Sequence, residues 1–345
     1  MSASLFANCD PSVVMRLPVE AAREFILGVL KKKSVFQFDA QTVADRMLEA
    51  DLRGEPQHGL RRLPDDVAIM DLGDIDPRGR VLVENQTAAV ATLDGSRALG
   101  PVAATKATEV AMQKAREVGI GAVAVHHSQY LGSSAVYVAL AAKQGLIGLC
   151  TSNYGGAILA APGTSTGATS DAGWAWGFPT ANDSLIVIET PSTAVGRAEQ
   201  ELRSAWGLAE PDPTTADSSA AAAGLLSPLA GEFGLGVAIT ASLLAGGLAG
   251  GKPPILKTRS PASECAEHLV LAIDLDHFTD RRRFLERIGA AMQAWPGQSE
   301  SNAAATAERE AESRRDGIPV HAADLARLSE LARKMKLDLP TIPPG

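Results

Sequence analysis

Cysteine is nearly absent from this 345-residue chain. The three present, Cys9, Cys150 and Cys265, stand far apart. Such spacing builds neither a disulfide framework nor a metal-ligand motif, and a reducing cytoplasm is the simplest setting. A basic excess is lacking too: 32 Lys and Arg face 40 Asp and Glu, for a net charge of −8. That argues against a nucleic-acid partner, because phosphate contacts need a clustered basic surface. No Gly-x-Gly-x-x-Gly follows a strand, which argues against a Rossmann-type dinucleotide unit. No metal-binding constellation is visible. The amino terminus lacks the basic start and apolar core of a signal peptide. One apolar, charge-free stretch needs care, the 18 residues Gly234–Gly251. It is shorter than the ~20 residues of a membrane span and carries six glycines, so it is expected as a tightly packed core helix.

What is present is a core. Hydrophobic residues make up 46% of the chain and charged residues 21%, enough to fill one large domain or two ordinary ones. Apolar periodicity predicts a helix over 18–33 and a second from an N-cap at Asp39 to a stop at Gly54. Strands are expected at Val81–Val83 and Ala88–Leu93. A helix over Val102–Val118 is closed by Gly119, followed by a strand at Ala122–Val125. Another helix, Ser133–Lys143, is closed by Gly145 and followed by a strand at Ile147–Thr151. Leu185–Ile188 and Leu269–Ile273 read as further strands, and Asp280–Ala294 as a helix. Pro211–Gly224 is loop-like in composition. Residues 298–316 read as an exposed helix or a mobile segment, and Ala323–Lys336 as a final helix. Strands and helices mixed in this way imply α/β or α+β.

The most informative segment is 49–64, Glu-Ala-Asp-Leu-Arg-Gly-Glu-Pro-Gln-His-Gly-Leu-Arg-Arg-Leu-Pro. Just beyond a helix end it gathers His58 with Arg53, Arg61 and Arg62. A histidine exchanges protons near neutral pH. An arginine four residues on can grip a carboxylate with two prongs. A bland reading, a loop histidine paired with a nearby carboxylate, stands beside the functional one. The segment resembles the Ala-Asp-Leu-Arg-Gly-x-x-Ser-His-Gly-x-x-Arg-x-Pro signature of the malate/L-lactate dehydrogenase family. That family also contains ureidoglycolate and sulfolactate dehydrogenases and Δ1-piperideine-2-carboxylate reductase, and it is unrelated to Rossmann-type lactate and malate dehydrogenases. The resemblance implies a mixed-sheet, non-Rossmann α/β fold with terminal helical modules. It suggests a helical module at 15–78, a central sheet domain with the cofactor region at 79–295, and a helical segment at 296–345. It makes His58 a catalytic acid/base and Arg62 a substrate-carboxylate ligand, with Gln57 (the family's serine) and Arg53 beside the substrate.

The same resemblance runs along the chain, with departures. His126-His127-Ser128-Gln129-Tyr130-Leu131-Gly132 is similar to the family's Val-Arg-Asn-Ser-x-His-Phe-Gly. Tyr130 takes the place of its second catalytic histidine, although a phenol with a pKa of about 10 is a poor base. The adjacent histidines at a strand end are expected on opposite faces, so at most one can face a pocket. The glycine-rich stretch Asn153–Pro179 corresponds to the loop near the nicotinamide. Asn153 and Ala161-Pro162 match it, while Ser170-Asp171-Ala172-Gly173 replaces Gly-Thr-Asn-Pro. Trp174 and Trp176, at strand spacing, share one face and either line a pocket or pack. Glu189, at a strand end, is the nearest acid to the family's supporting aspartate. It stands either as its substitute or as an ordinary exposed carboxylate. Ser227–Gly234 resembles the Gly-x-Lys-Gly turn, with Phe233 in place of the lysine. By position, then, Ser128, Asn153, Ser170, Asp171 and Phe233 fall at the cofactor, and His58, Tyr130 and Glu189 at the chemistry, with no metal.

Three functions follow as expectations. The first is an NAD(P)H-dependent reductase of a small 2-oxo acid or cyclic imine acid. The second is a cofactor-independent lyase, hydratase or isomerase on the same fold, suggested by the replaced positions. The third is a non-catalytic homodimeric partner. The family consists of homodimers with interfaces close to the active sites. The apolar content and an amphipathic helix at each end suit such an assembly.

Overall fold

The computed structural model describes residues 5–181, 185–209, 218–257, 266–294 and 299–340. A short strand, β1 (Val14–Leu17), leads into the helices α1 (Val19–Lys32), α2 (Gln37–Arg53) and α3 (Leu63–Leu72). The sheet region follows. It contains β2 (Leu82–Gln86), β3 (Val90–Asp94), α4 (Gly100–Val118), β4 (Ile120–Ser128), α5 (Ser134–Lys143) and β5 (Leu146–Asn153). Next come β6 (Leu159–Ala160), β7 (Gly167–Thr169), β8 (Trp174–Pro179) and β9 (Leu185–Thr190). Three helices, α6 (Arg197–Ala205), α7 (Ser218–Ala222) and α8 (Glu232–Ala241), precede β10 (Ala266–Asp274). The chain closes with α9 (Arg281–Ala294), α10 (Ser299–Asp316), β11 (Ile318–His321) and α11 (Ala322–Met335).

The seven-stranded sheet has the order β2-β3-β4-β10-β5-β8-β9. Only β3 and β4 pair in parallel, joined by the crossover helix α4; the remaining pairs are antiparallel. This mixed order differs from a doubly wound Rossmann sheet. The small side chains Ala103, Ala104, Ala107, Ala111 and Ala115 of α4 are fully buried against the sheet. Small residues at helical spacing let the helix backbone come close. The approach is tightest at Gly121, where a Cβ would lie 2.0 Å from the Ala111 carbonyl oxygen.

The second core joins the two ends of the chain. β1 pairs antiparallel with β11, from Val14 opposite His321 to Leu17 opposite Ile318. Around that ribbon Ile26, Leu30, Leu48, Leu63, Ile318 and Leu328 share one apolar cluster. Fully burying each such side chain contributes about 1.5–3 kcal/mol. The helices α1, α2, α3 and α11 therefore pack on one shared core.

Several expectations are corrected. α2 starts at Gln37 with Phe36 as its N-cap and no side-chain bond, so Asp39 sits in the first turn instead. Pro211–Gly224 contains the helix α7, while 210–217 lie outside the described residues, as do Cys265 and the Pro296-Gly297 stop. Of the two readings of 298–316, the helix holds, as α10. Gly234–Gly251 is not an enclosed core helix. It is α8 followed by a π-helical turn at Ser242–Gly247, burying Gly234, Ala238, Ala241 and Ala245. Its other face leaves Phe233, Leu243 and Leu248 about 60% exposed. Among the described residues no helix is long and apolar enough to cross a membrane.

Gly121→Ala tests the close approach of α4. The added methyl meets helix backbone, which cannot rotate away, so a loss of about 1–3 kcal/mol is expected in urea unfolding. Unchanged stability would show that α4 can lift off the strand at no cost.

Candidate functional site

α2 ends because Gly54 adopts φ 85°, a left-handed conformation that costs glycine nothing. The chain then makes two short 3₁₀ turns, Pro56–His58 and Leu60–Arg62. A buried carboxyl holds them in place. Asp51, on the last turn of α2, accepts the Leu60 N–H at 2.8 Å through Oδ2. Gly59 passes so close that a Cβ there would lie 2.0 Å from Asp51 Oδ1. His58 and Arg62 flank this anchor and point their side chains into a cleft of ≈ 1440 Å³.

The side chains meet as follows. Tyr130, just past β4, places its Oη 2.6 Å from His58 Nδ1. The Arg62 guanidinium lies 4.8 Å from the Tyr130 ring centroid. On its other side Arg62 faces Asp65 at 3.2 Å and Asp66 at 3.9 Å, from the first turn of α3. Tyr154 packs on Tyr130 with ring centroids 5.0 Å apart. Across the cleft Glu189 shares the wall with Arg53 and Glu55, which pair at 3.1 Å. Gln57 lines the same cleft, and its buried Oε1 has no hydrogen-bond partner among the described residues. Arg61 instead turns away and pairs with Asp324 at 3.0 Å.

The charge states follow from burial. Desolvation pushes the His58 imidazole down to about 4, and the nearby Arg62 cation lowers it further against the opposing pull of Glu55. Burial raises the Tyr130 phenol well above its usual range, although Arg62 opposes this. Burial opposes the charge of Arg62, but Asp66, Tyr130 and Asp65 outweigh it and hold the guanidinium charged. Asp66 itself is raised to about 7, chiefly by burial. Glu189 opens to the cleft, yet the negative charge of Glu55 and the enclosing walls raise its carboxyl to about 7. At pH 7 the site therefore presents a neutral imidazole, a protonated phenol, a fixed cation and two carboxyls, Asp66 and Glu189, near their midpoints.

Other residues expected at the site lie elsewhere. Ser128 is buried beneath the sheet with its Oγ 2.8 Å from His268 Nε2. Asn153 is fully buried and donates Nδ2–H to Glu267 at 2.6 Å, within a network that includes Lys257. Ser170 is enclosed, and its Oγ has no hydrogen-bond partner among the described residues. Asp171 does line the cleft, where Oδ2 accepts the Arg197 N–H at 2.7 Å and caps α6. Phe233 sits on the exposed face of α8. Trp174 and Trp176 share a face of β8 as expected, with Trp174 on the cleft and Trp176 stacked on Phe178. The two histidines are not on opposite faces. His127 has φ 48°, which breaks the strand alternation and brings its ring against that of His126. Neither lines the cleft. A separate hollow of ≈ 1000 Å³ around Asp276–Glu286 holds none of the candidates.

Sequence reasoning passed over Asp51, Asp66 and Tyr154. A signal existed for the first two. Asp51 falls on the helix face of the buried apolar residues Leu48 and Leu52. Asp66 stands four residues after Arg62, on the helical spacing of an ion pair.

Asp51 also sets a pH dependence. Burial raises its carboxyl from the ordinary 3.8 to about 8, with Leu60 opposing and Asp324 adding to the rise. A raised folded pKa stabilises most below the unfolded pKa, and the contribution is lost as pH climbs through the folded one. Stability should therefore fall between about pH 4 and 8, and Asp51→Asn, permanently neutral, should flatten that fall in denaturant titrations. Parallel pH profiles for both proteins would contradict it.

The family model described as malate/L-lactate dehydrogenase matches residues 17–329. The L-sulfolactate dehydrogenase of Methanocaldococcus jannaschii is 31% identical over 79% of this chain and 82% of its own. A (2R)-3-sulfolactate dehydrogenase (NADP(+)) of Chromohalobacter salexigens is 28% identical over 81% of this chain and 86% of its own. The solved malate dehydrogenase of Pyrococcus horikoshii superposes with TM-score 0.82 at 25% identity, covering 96% of this chain and 98% of that one. An imidazole and a guanidinium set by one short loop, a seven-stranded mixed sheet and a match along most of the chain converge: this protein belongs to the malate/L-lactate dehydrogenase family of oxidoreductases.

Proposed function

We propose that this protein is an NAD(P)H-dependent reductase of a small 2-oxo acid or cyclic imine acid. The observation that carries the reading is the His58–Tyr130–Arg62 constellation in one cleft. Arg62 is a cation throughout the working range and binds the substrate carboxylate. His58 then meets an anion. Its imidazole, neutral in the free protein because of burial, takes a proton from solvent in the complex, favoured by Glu55 and by the bound carboxylate, which offsets Arg62. The imidazolium donates Nδ1–H to Tyr130 Oη and Nε2–H to the oxygen or nitrogen being reduced. Tyr130 retains its own O–H, which orients the substrate atom as a second donor. In the reverse direction His58 accepts the proton of the hydroxy acid.

The cleft fits a nicotinamide dinucleotide on two counts. Its ≈ 1440 Å³ exceeds the few hundred Å³ of an ordinary small-ligand pocket. Its wall also offers Arg197 and the Gly155-Gly156 backbone to phosphate. Those groups would hold the cofactor, which supplies hydride to the substrate carbon. Glu189, half ionised near neutral pH, gives a second reading its footing: a cofactor-independent lyase, hydratase or isomerase would use it with His58 as an acid–base pair across the cleft.

The exposed apolar belt of Phe233, Ile239, Leu243, Leu244, Leu248 and Ile255 supports assembly as a homodimer. Monomeric proteins rarely leave a belt of this kind open.

Calorimetry with NADPH and NADH separates the readings. Saturable binding of one of them is expected, and cofactor-free turnover with no binding at millimolar concentration would favour the acid–base alternative. His58→Ala should cut kcat/KM by about 10²–10⁴-fold with stability changed by less than ~1 kcal/mol, and Arg62→Ala should chiefly raise KM. A His58→Ala protein that unfolds would make the histidine structural. Sedimentation should give a dimer that Leu243→Glu dissociates, and a monomeric wild type would remove the assembly.

A further inference from the structure

Away from the cleft, the ends of β2, β3 and β4 bring together four side chains that the reductase chemistry does not use. Asp94 and His126 are register partners across the parallel β3–β4 pair. Leu93 and Val125, their neighbours, point into the core beneath α4, so both side chains emerge on the opposite face. His127 joins them only because its left-handed backbone turns the ring back over the same face. That conformation is costly for histidine, and the surroundings enforce it. Gly95 N–H donates to the His126 carbonyl at 2.8 Å and Arg97 N–H to the His127 carbonyl at 2.7 Å. A Cβ at Gly95 would press on both carbonyl oxygens.

Three lone-pair atoms converge there. His126 Nδ1 lies 3.0 Å from His127 Nδ1, His127 Nδ1 lies 3.2 Å from Asp94 Oδ1, and His126 Nδ1 lies 4.0 Å from the same oxygen. Around a tetrahedral zinc with bonds of ~2.0–2.1 Å, ligand atoms sit about 3.3 Å apart, within the observed span. The tautomer agrees. Glu84 Oε2 stands 2.7 Å from His126 Nε2. A carboxylate only accepts, so the proton of His126 resides on Nε2 and Nδ1 offers a lone pair. A carboxylate behind the far nitrogen is how metal-binding histidines are held. Ser96 N–H, donating to Asp94 Oδ1 at 2.8 Å, fixes the third ligand.

We propose that Asp94, His126 and His127 bind a divalent transition-metal ion of the zinc type, with Glu84 orienting His126. Two imidazoles and one carboxylate suit zinc, nickel or copper rather than magnesium or calcium. On metal binding the proton of His127 moves through solvent from Nδ1 to the ring's other nitrogen, Nε2, and the imidazole stays neutral. The exposed His127 leaves the fourth position to water or to a ligand. The site is separate from the cleft and independent of the reductase reading.

The test is calorimetric titration of the chelator-treated, full-length protein with Zn²⁺ alone. One equivalent per chain is expected. His127→Ala and Asp94→Asn should each weaken binding by at least about 10-fold, and Glu84→Gln by about 10–100-fold. His277→Ala, a histidine outside the cluster, should leave it unchanged. No saturable binding by about 1 mM Zn²⁺, or equal affinity in wild type and His127→Ala, would overturn the site. Should Asp94→Asn fail to fold, His127→Ala decides, because that side chain is 61% exposed and its removal leaves no cavity.

Discussion

One buried hydrogen bond holds the loop that carries His58 and Arg62. Asp51 leaves the last turn of a helix with its carboxyl enclosed, and across the loop it accepts the backbone N–H of Leu60. A buried acceptor left without a partner costs about 1–3 kcal/mol. The loop is therefore drawn to that carboxyl, and glycine at position 59 is the residue that can pass it. His58 and Arg62 lie on either side of the anchor. The bond fixes the backbone between them, and contacts with Tyr130, Asp65 and Asp66 direct their side chains.

Around the anchor, burial and charge sort the protonation states. The imidazole stays neutral because desolvation and Arg62 both disfavour its cation. The guanidinium stays charged because two aspartates of α3 face it. Tyr130 lies between them, its hydroxyl on His58 and its ring under Arg62. In the reading proposed above, an arriving carboxylate offsets the Arg62 contribution, while burial remains the larger cause of the neutral imidazole.

The scaffold serves this corner through close approach. An alanine-faced helix sits directly on the sheet, and the ribbon of β1 and β11 ties both chain ends into the layer that carries α2. Two features lie outside that logic. The left-handed His127 turns two histidines onto one face of the sheet edge. The exposed apolar side of α8 and its π-helical turn carries more hydrophobic surface than solvent contact favours.

Much of this was legible in order along the chain. Gly54 and Gly119 ended their helices where a left-handed residue was needed. Trp174 and Trp176 took one face of a strand because alternation is a local property of extended backbone. The His58–Arg62 spacing announced a site because both residues ride on one short loop. What the sequence by itself determined is therefore what a few neighbouring dihedrals and side-chain periods control: the elements, the mixed α/β class and the family signature. Only the tertiary structure decided that Tyr130, 72 residues away, meets His58. It also withdrew Asn153 and Ser128 into buried networks, and it turned His127 toward Asp94. Those outcomes depend on strand register, on a backbone bent by its packing neighbours and on which polar atoms remain to be satisfied once the core has closed. None of these quantities is local to a stretch of sequence.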